Sequence, residues 1–374
     1  MALKGIKVLE FAGLAPGPFC GKVLKDLGAR VIRIDRADST NDVDRLSHGK
    51  ESIAINLKSK KGVEIVKHLT KNADVLIEPF RKGVMERLGL GPSQIFKVNP
   101  SLIYARLTGY GQFGSLSQKA GHDINYISYS GVLSCLGRSS EKPYAPINLI
   151  ADFAGGGLMC ALAIITSLYE RQTKGINEKV IDLSMVEGAA YLSSWLWTSR
   201  DIPGVWSGNK RGENLLDGGF APYETYETKD GKFMACGPLE PAFYNQLLQG
   251  LEFSEDEEVT KEALQRVFKT RTRNEWEEIF KNLDSCVSPV LELDEAPIHP
   301  HNRERASFLE LSDGSCLPSM NWLNQNSINQ KFEMPLVGRH TIKVLNDFGF
   351  SNHDIGVFLS ENIVQDYSNV KSKL

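Results

Sequence analysis

The chain has little of what marks metal-binding or secreted disulfide-rich proteins. Its six cysteines (Cys20, Cys135, Cys160, Cys236, Cys286 and Cys316) are scattered over 374 residues with no CxxC pair. That spacing excludes a disulfide framework, argues against zinc and suits a reducing compartment. The seven histidines include no HExxH, and His299-Pro300-His301 reads as a proline turn, so no metal is expected. Neither sign of charge dominates: 43 basic and 46 acidic residues leave a net charge of -3, which gives no global field for nucleic acid. Long apolar runs are lacking too. The longest, Leu158 to Leu168, falls short of the roughly 20 residues a bilayer requires, so it is read as a buried helix and no membrane span is expected. The opening MALKGIKVLEF lacks the charged-then-apolar signal pattern and runs straight into a strand.

What is present is a 41% hydrophobic chain, long enough to bury a core in two or three domains. Over the first 110 residues, β-rich runs alternate with helical patterns: strands at 6–11, 30–35, 52–57, 74–80 and 102–107, with helices at 18–28, after Lys60 and around 84–88. This alternation predicts an α/β fold, with a Rossmann-like parallel sheet covered by helices on both faces. An apolar helix from about Phe153 to Tyr169, a strand at KVIDLSM and a helix at VEGAAYLSSWLW extend it. The texture then turns rich in Gly, Pro and aromatics. The expected division is a large domain over 1–190, a linker over 191–214, a smaller α+β domain over 215–325 and a return to the large domain over 326–374.

Two signals resemble nucleotide sites. The second strand ends in Asp35, where a Rossmann domain places its ribose-binding acid, but the first loop reads AGLAPGP rather than GxGxxG. Its prolines remove N–H donors that a pyrophosphate would use, which disfavours dinucleotide binding in that form. Arg36 can instead pair with a phosphate on a ribose, a group that coenzyme A also carries. A GxGxxG does occur at Gly109, Gly111 and Gly114, yet no apolar helix follows at once, so a loop after a strand is expected. Lys58, Lys60, Arg81, Lys82 and Arg87 add positive charge near strand ends, as phosphate contacts or as a solvated face.

The stretch AGHDINY sets His122 directly before Asp123. These residues either begin a helix or move a proton. Asp152 precedes FAGGGLMCALAIITSLYE, where its simplest role is the helix N-cap, and capping does not exclude chemistry. Glycines 155 to 157 would let a backbone or ligand approach. Glu240, before Pro241, favours the dipole of a proline-initiated helix.

Several longer stretches, namely GLAPGPFC, GARVIRIDR, LIYARLTGYGQ, AGHDINY, NLIADFAGGGLMCALAII, MVEGAAYLSS and LEPAFY, make the chain similar over nearly its whole length to the racemases of the family III CoA-transferase superfamily. The resemblance implies an interlocked homodimer, with each active site between the large domain of one chain and the small domain of the other. It implies His122 and Asp152 as the acid/base pair, and Glu240 as the glutamate that hydrogen-bonds the histidine across the dimer. Asp123 is assigned the place of the nucleophilic aspartate of the transferases. Arg36, the segment Ala54, Ile55, Asn56, Leu57 and Lys58, and the segment Gly121, His122, Asp123, Ile124, Asn125 and Tyr126 are implied to hold the CoA thioester. The linker between Trp197 and Glu224 is a few residues longer than the racemase pattern.

The function this implies is epimerisation of 2-methylacyl-CoA thioesters at C2, with coenzyme A as part of the substrate and no separate cofactor. The alternatives are CoA transfer through Asp123 and acyl-CoA binding without catalysis. The terminal Ser372, Lys373 and Leu374 spell a peroxisomal import address, with an import receptor as partner. That setting suits breakdown of branched-chain fatty acids and bile-acid intermediates, with the mitochondrion left open as a second destination.

Overall fold

The computed structural model describes residues 1–39, 43–207, 210–254, 258–311, 314–320 and 334–367. Contacts divide the chain into two units, the first built from 1–130, 146–193 and 309–374 and the second from 131–145 and 194–308. Relative to the expected boundaries, the segment 131–145 and residues 194–214 of the linker fall in the second unit, and the return begins earlier, at 309. The terminal tripeptide Ser372–Leu374 lies outside the described residues.

The first unit is organised on a sheet of β1 (Lys7–Phe11), β2 (Arg30–Arg36), β3 (Glu51–Ile55), β4 (Val75–Glu78), β5 (Ile103–Thr108), β6 (Lys179–Ser184) and β12 (Val364–Gln365). Their order across the sheet is β12-β3-β2-β1-β4-β5-β6. All pairings are parallel except β12 against β3. The first six strands therefore follow the Rossmann order, as the alternating pattern predicts. Sequence periodicity gives no sign of β12, whose two residues are too few to show a pattern.

Alternate residues of β1 face different helices. Leu9 and Phe11 join Ile32, Ile34 and Ile55 in a core shared with Ile65, Val66 and Leu69 of α2 (Lys60–Lys71), with α13 (Thr341–Asp347) through Val344 and Leu345, and with α14 (Asn352–Ser360) through Ile355. The 65, 66, 69 spacing is the apolar stripe of an amphipathic helix. On the other face, Glu10 lies under Gly21 of α1 (Pro16–Asp26): a Cβ on Gly21 would stand 1.6 Å from Glu10 Oε2. The Lys50 ammonium donates to both Glu10 oxygens at 2.8–2.9 Å and to the Pro18 carbonyl at 2.8 Å, with both side chains wholly buried. Burial pushes the Glu10 carboxyl up to about 7 against the pull of Lys50. Lys50 thus ties the first turn of α1 to β1.

Short helices α3 (Val84–Arg87) and α4 (Pro92–Ile95) lead from β4 to β5, and α5 (Asp123–Tyr129) follows β5. Next comes a wide π-helical segment, Leu149–Leu158, that continues as α6 (Met159–Lys174), before β6 and α7 (Met185–Leu192). The helix starts four residues before the expected Phe153, so Asn148 holds the N-cap position and Asp152 sits inside the first turn. At 26 residues, Leu149–Lys174 is also longer than the apolar run suggested, and by length and composition alone it could cross a membrane. Here it packs against α1, α7, β5 and β6. The glycines explain how: a Cβ on Gly188 would lie 1.9 Å from the Gly155 carbonyl oxygen, and one on Gly157 would lie 2.8 Å from that of Pro16.

The second unit contains α8 (Ser194–Thr198), the antiparallel sheet β7 (Glu224–Glu227), β8 (Phe233–Cys236) and β9 (Val287–Pro289), and the helices α9 (Pro241–Leu251), α10 (Lys261–Phe268), α11 (Arg273–Phe280) and α12 (Pro300–Glu304). Lys-Asp-Gly forms the β7–β8 turn as its composition suggests. Trp276 is wholly buried with Tyr226, Phe268 and Phe280, and its indole N–H donates to the Phe268 carbonyl at 2.8 Å. A short ladder of β10 (Phe308–Glu310) and β11 (Cys316–Pro318) follows.

The Gly155–Gly188 crossing leaves no room for one methyl group. Gly188→Ala is expected to lower stability by about 1–3 kcal/mol, read as a fall of several degrees in the thermal midpoint. A midpoint equal to the parent would show that α7 can move without loss.

Candidate active site

Between β1 and β4 the sheet reverses its direction of winding, and the loops leaving their carboxyl ends diverge. A cavity of about 310 Å³ opens there. Its walls are Ala12 to Leu14 and Pro16 after β1, Pro79 to Arg81 after β4, Leu107 to Tyr110 from β5, and His122, Tyr126, Asp152 and Met185. Ala15, in the same turn, is held at φ +31°, a strained value for a residue with a Cβ.

His122 is the N-cap of α5, in extended conformation, with its backbone N–H donating to Asn125 Oδ1 at 3.0 Å. Asp123 and Ile124 follow as the first helical residues, where N–H groups have no intrahelical carbonyl. Tyr126 comes round to the inner side. Its hydroxyl donates to the Gly121 carbonyl, and burial pushes that phenol up to about 12. A Cβ on Gly109 would meet the Tyr126 ring at 2.2 Å. The first glycine of the apparent GxGxxG thus makes room for an aromatic ring.

Asp152 is 9% exposed. Burial raises its carboxyl above the ordinary range, Asn148 Nδ2 at 3.3 Å pulls it down, the Asp123 carboxylate adds to the rise, and His122 lowers it. The cavity therefore brings together an imidazole and a partly desolvated carboxylate on separate helices, an arrangement suited to moving protons. Asn148 is the partner that sequence reading missed. Its signal was the i, i+4 spacing to Asp152, hidden by placing the helix start too late.

Asp123 is turned into the interior. It is 2% exposed, and its Oδ2 accepts the N–H groups of Ala151 and Asp152 at 2.6 and 2.9 Å. Both donors meet Oδ2, and the side chain lies behind the cavity wall, not on it. Asp35 likewise is no free ribose acid: Arg33 Nε at 2.9 Å and Ser52 Oγ at 2.5 Å donate to it in the interior.

The expected thioester-holding groups distribute along one edge. Arg36 is exposed at the carboxyl end of β2 and pairs with Asp38 at 3.0 Å. Ala54 and Ile55 end β3 and pair with β12, Asn56 Oδ1 accepts the Lys58 N–H at 3.0 Å, and Leu57, Lys58 and Lys60 lead into α2. Arg81 lines the cavity, whereas Lys82 and Arg87 are exposed beyond it. Gly121 is at the rim, and Ile124 and Asn125 are exposed on α5. Glu240 belongs to the second unit, as the exposed N-cap of α9 with Pro241 at the first helical position.

Residues 3–341 match the model of CoA-transferase family III. The human and mouse proteins named alpha-methylacyl-CoA racemase are each 49% identical to the chain, covering 100% and 98% of it and the same shares of their own lengths. The chain belongs to CoA-transferase family III. Among solved structures, a protein from Brucella suis described as a CAIB/BAIF family protein superposes with a TM-score of 0.74 at 22% identity, covering 92% of this chain and 99% of its own. It supports the family III fold, the mixed α/β architecture with a parallel sheet that the motifs implied.

Removing the amide beside Asp152 isolates its electrostatics within this family III site. Asn148→Ala should move the Asp152 titration upward, because a hydrogen bond to the charged form is lost. The shift is read by infrared difference titration with Asp152→Asn as the blank, and a midpoint that stays or falls contradicts the assignment.

Proposed function

We infer that this chain is an isomerase that epimerises 2-methylacyl-CoA thioesters at C2. The observation that carries the reading is full-length identity of 49% to racemases, in a chain whose His122 and Asp152 line one cavity.

The reaction exchanges a proton at the carbon beside the thioester carbonyl. One base takes the proton from one face of that carbon, and the conjugate acid of the other returns a proton to the opposite face. His122 serves one enantiomer and Asp152 the other, with roles reversed for the product. The raised Asp152 carboxyl brings its basicity closer to the working range than an ordinary aspartate. Because Asp152 must be ionised to accept the proton, the rate in that direction is lost as pH falls through a midpoint higher than that of an ordinary carboxylate.

The intermediate is an enolate whose charge develops on the thioester oxygen. The first-turn N–H groups of Asp123 and Ile124, beside His122, are donors of the kind such an oxyanion needs. Glu240 of a second copy orients the imidazole. Arg36, the segment 54–58, Lys60, Arg81 and Arg87 supply contacts for the phosphates and adenosine end of coenzyme A. The burial of Asp123 speaks against the alternative in which it forms an acyl anhydride. The terminal Ser372-Lys373-Leu374 supports peroxisomal import and thus work on branched-chain fatty acyl and bile-acid-intermediate thioesters.

One enantiomer of a 2-methylacyl-CoA in D₂O, with no acceptor acid, is expected to lose chirality and gain α-deuterium together. Bound ester that keeps its chirality and takes up no label would refute the reading. His122→Ala should lower racemisation by roughly 100-fold or more with unchanged ester affinity, and unimpaired turnover would remove the histidine from the mechanism. Arg36→Ala should raise KM a few-fold and leave kcat in place, as expected for one exposed charge contact; an unchanged KM would count against Arg36.

A further inference from the structure

We propose that Asp123 is a positioning residue, whose buried side chain fixes the backbone of Asp152 relative to His122. The inference rests on the racemase reading and assigns the carboxylate a part other than that of nucleophile.

A π-helix bonds each N–H to a carbonyl five residues back, so the N–H groups of its opening turn have no partner within it. Ala151 and Asp152 stand in that turn of Leu149–Leu158. Both N–H groups find the same acceptor, Asp123 Oδ2, at 2.6 and 2.9 Å. The other oxygen, Oδ1, is buried with no hydrogen-bond partner among the described residues. A buried carboxylate is costly unless its charge is met by donors. The hydrogen bonds that meet it here both come from the backbone carrying Asp152.

The covalent chain supplies the other half of the device. Asp123 is the residue directly after His122, and it opens the helix that His122 caps. One side chain therefore spans from the imidazole-bearing residue to the backbone of the carboxylate-bearing one. Two bases that address opposite faces of one carbon need a fixed separation, and displacement of about 1 Å can cost roughly 100-fold in rate.

Two substitutions separate holding from charge. Asparagine keeps an acceptor oxygen for both N–H groups, whereas alanine leaves them buried without one. In Asp123→Ala, racemisation should fall roughly 100-fold at unchanged affinity for the thioester, while Asp123→Asn stays within a few-fold of the parent. The loss should be uneven. α-Deuterium uptake should fail for the enantiomer that Asp152→Ala also ceases to exchange, and persist for the enantiomer served by His122. The ionisable groups set against Asp152 are Asp123, His122 and Tyr126. Asp123→Asn removes a negative charge from among them, so its acid limb should move to lower pH. Equal loss for both enantiomers in folded Asp123→Ala, or an Asp123→Asn as inactive as alanine, would overturn the proposal.

Amide hydrogen exchange over residues 149–158 gives a readout independent of turnover. It should quicken in Asp123→Ala and remain near the parent in Asp123→Asn, and parental exchange in the alanine variant would overturn the clamp. If the parent itself exchanges neither enantiomer, the racemase reading fails, and this second measurement still decides whether Asp123 holds the helix start.

Discussion

The reversal of winding between β1 and β4 is the constraint on which the site depends. β1 is bonded in parallel to β2 on one side and β4 on the other, so the chain leaves their carboxyl ends in diverging directions. A gap at that point is a consequence of topology, not of any particular side chain. Side chains determine what the gap becomes. In place of a glycine-rich turn with free N–H groups, this chain puts a proline-bearing turn with a strained Ala15, and anchors it from below by Lys50 on Glu10 and Pro18. The crevice is thereby stiffened and deprived of phosphate-binding donors at the place where a dinucleotide enzyme would have them.

His122 and Asp152 reach the crevice from helices that follow β5, and the position of the second is set by glycine. Gly155 and Gly188 let the π-helical segment and α7 cross with their backbones in contact, while Gly157 gives the same closeness to α1. This packing holds Asp152 at the cavity wall, with no ion pair to a lysine or arginine among the described residues. Its carboxyl is raised by burial and, to a smaller extent, by Asp123, and is opposed by the Asn148 amide and His122, whereas for Glu78 the Arg106 guanidinium at 2.7 Å opposes the desolvation. Both carboxyls are raised, but among the described residues only the one facing the cavity has no ion pair to a guanidinium. An unpaired, partly desolvated carboxylate can change charge during a cycle at less expense than one locked to arginine.

The elements most legible in the sequence were those governed by local pattern. The six parallel strands read as β-branched runs because burial on both faces favours such residues, and Glu240-Pro241 read as a helix start because proline suits the first turn. His122 and Asp152 drew notice as chemistry-bearing types beside helix starts, but their sharing of one cavity could not be read from spacing, since 29 intervening residues fold away between them. One misplacement has a physical cause. Phe153 reads as the helix start because Asp152 has the composition of an N-cap, whereas the π-turn begins at Leu149 and holds Asp152 inside its first turn. The burial of Asp35 against Arg33 and Ser52, and of Asp123 against the N–H groups of Ala151 and Asp152, depends on tertiary partners that spacing does not display.

The separation of these groups along the sheet constrains the ligand. Arg36 and the segment 54–58 lie at the carboxyl ends of β2 and β3, whereas the cavity lies at those of β1, β4 and β5. Adjacent strands are about 4.8 Å apart, so the step from β3 to β1 is on the order of 10 Å and that from β3 to β5 near twice as much. A compact acid could occupy the cavity but would leave the basic edge unused. An elongated molecule with an anionic nucleotide at one end and an uncharged reacting centre at the other would use both, which is the form of an acyl thioester of coenzyme A. The arrangement also keeps fixed positive charge at the exposed edge. In the proposed reaction it would contribute binding common to ground and transition states, while His122 and Asp152, held on separate helices, would be free to exchange their charges.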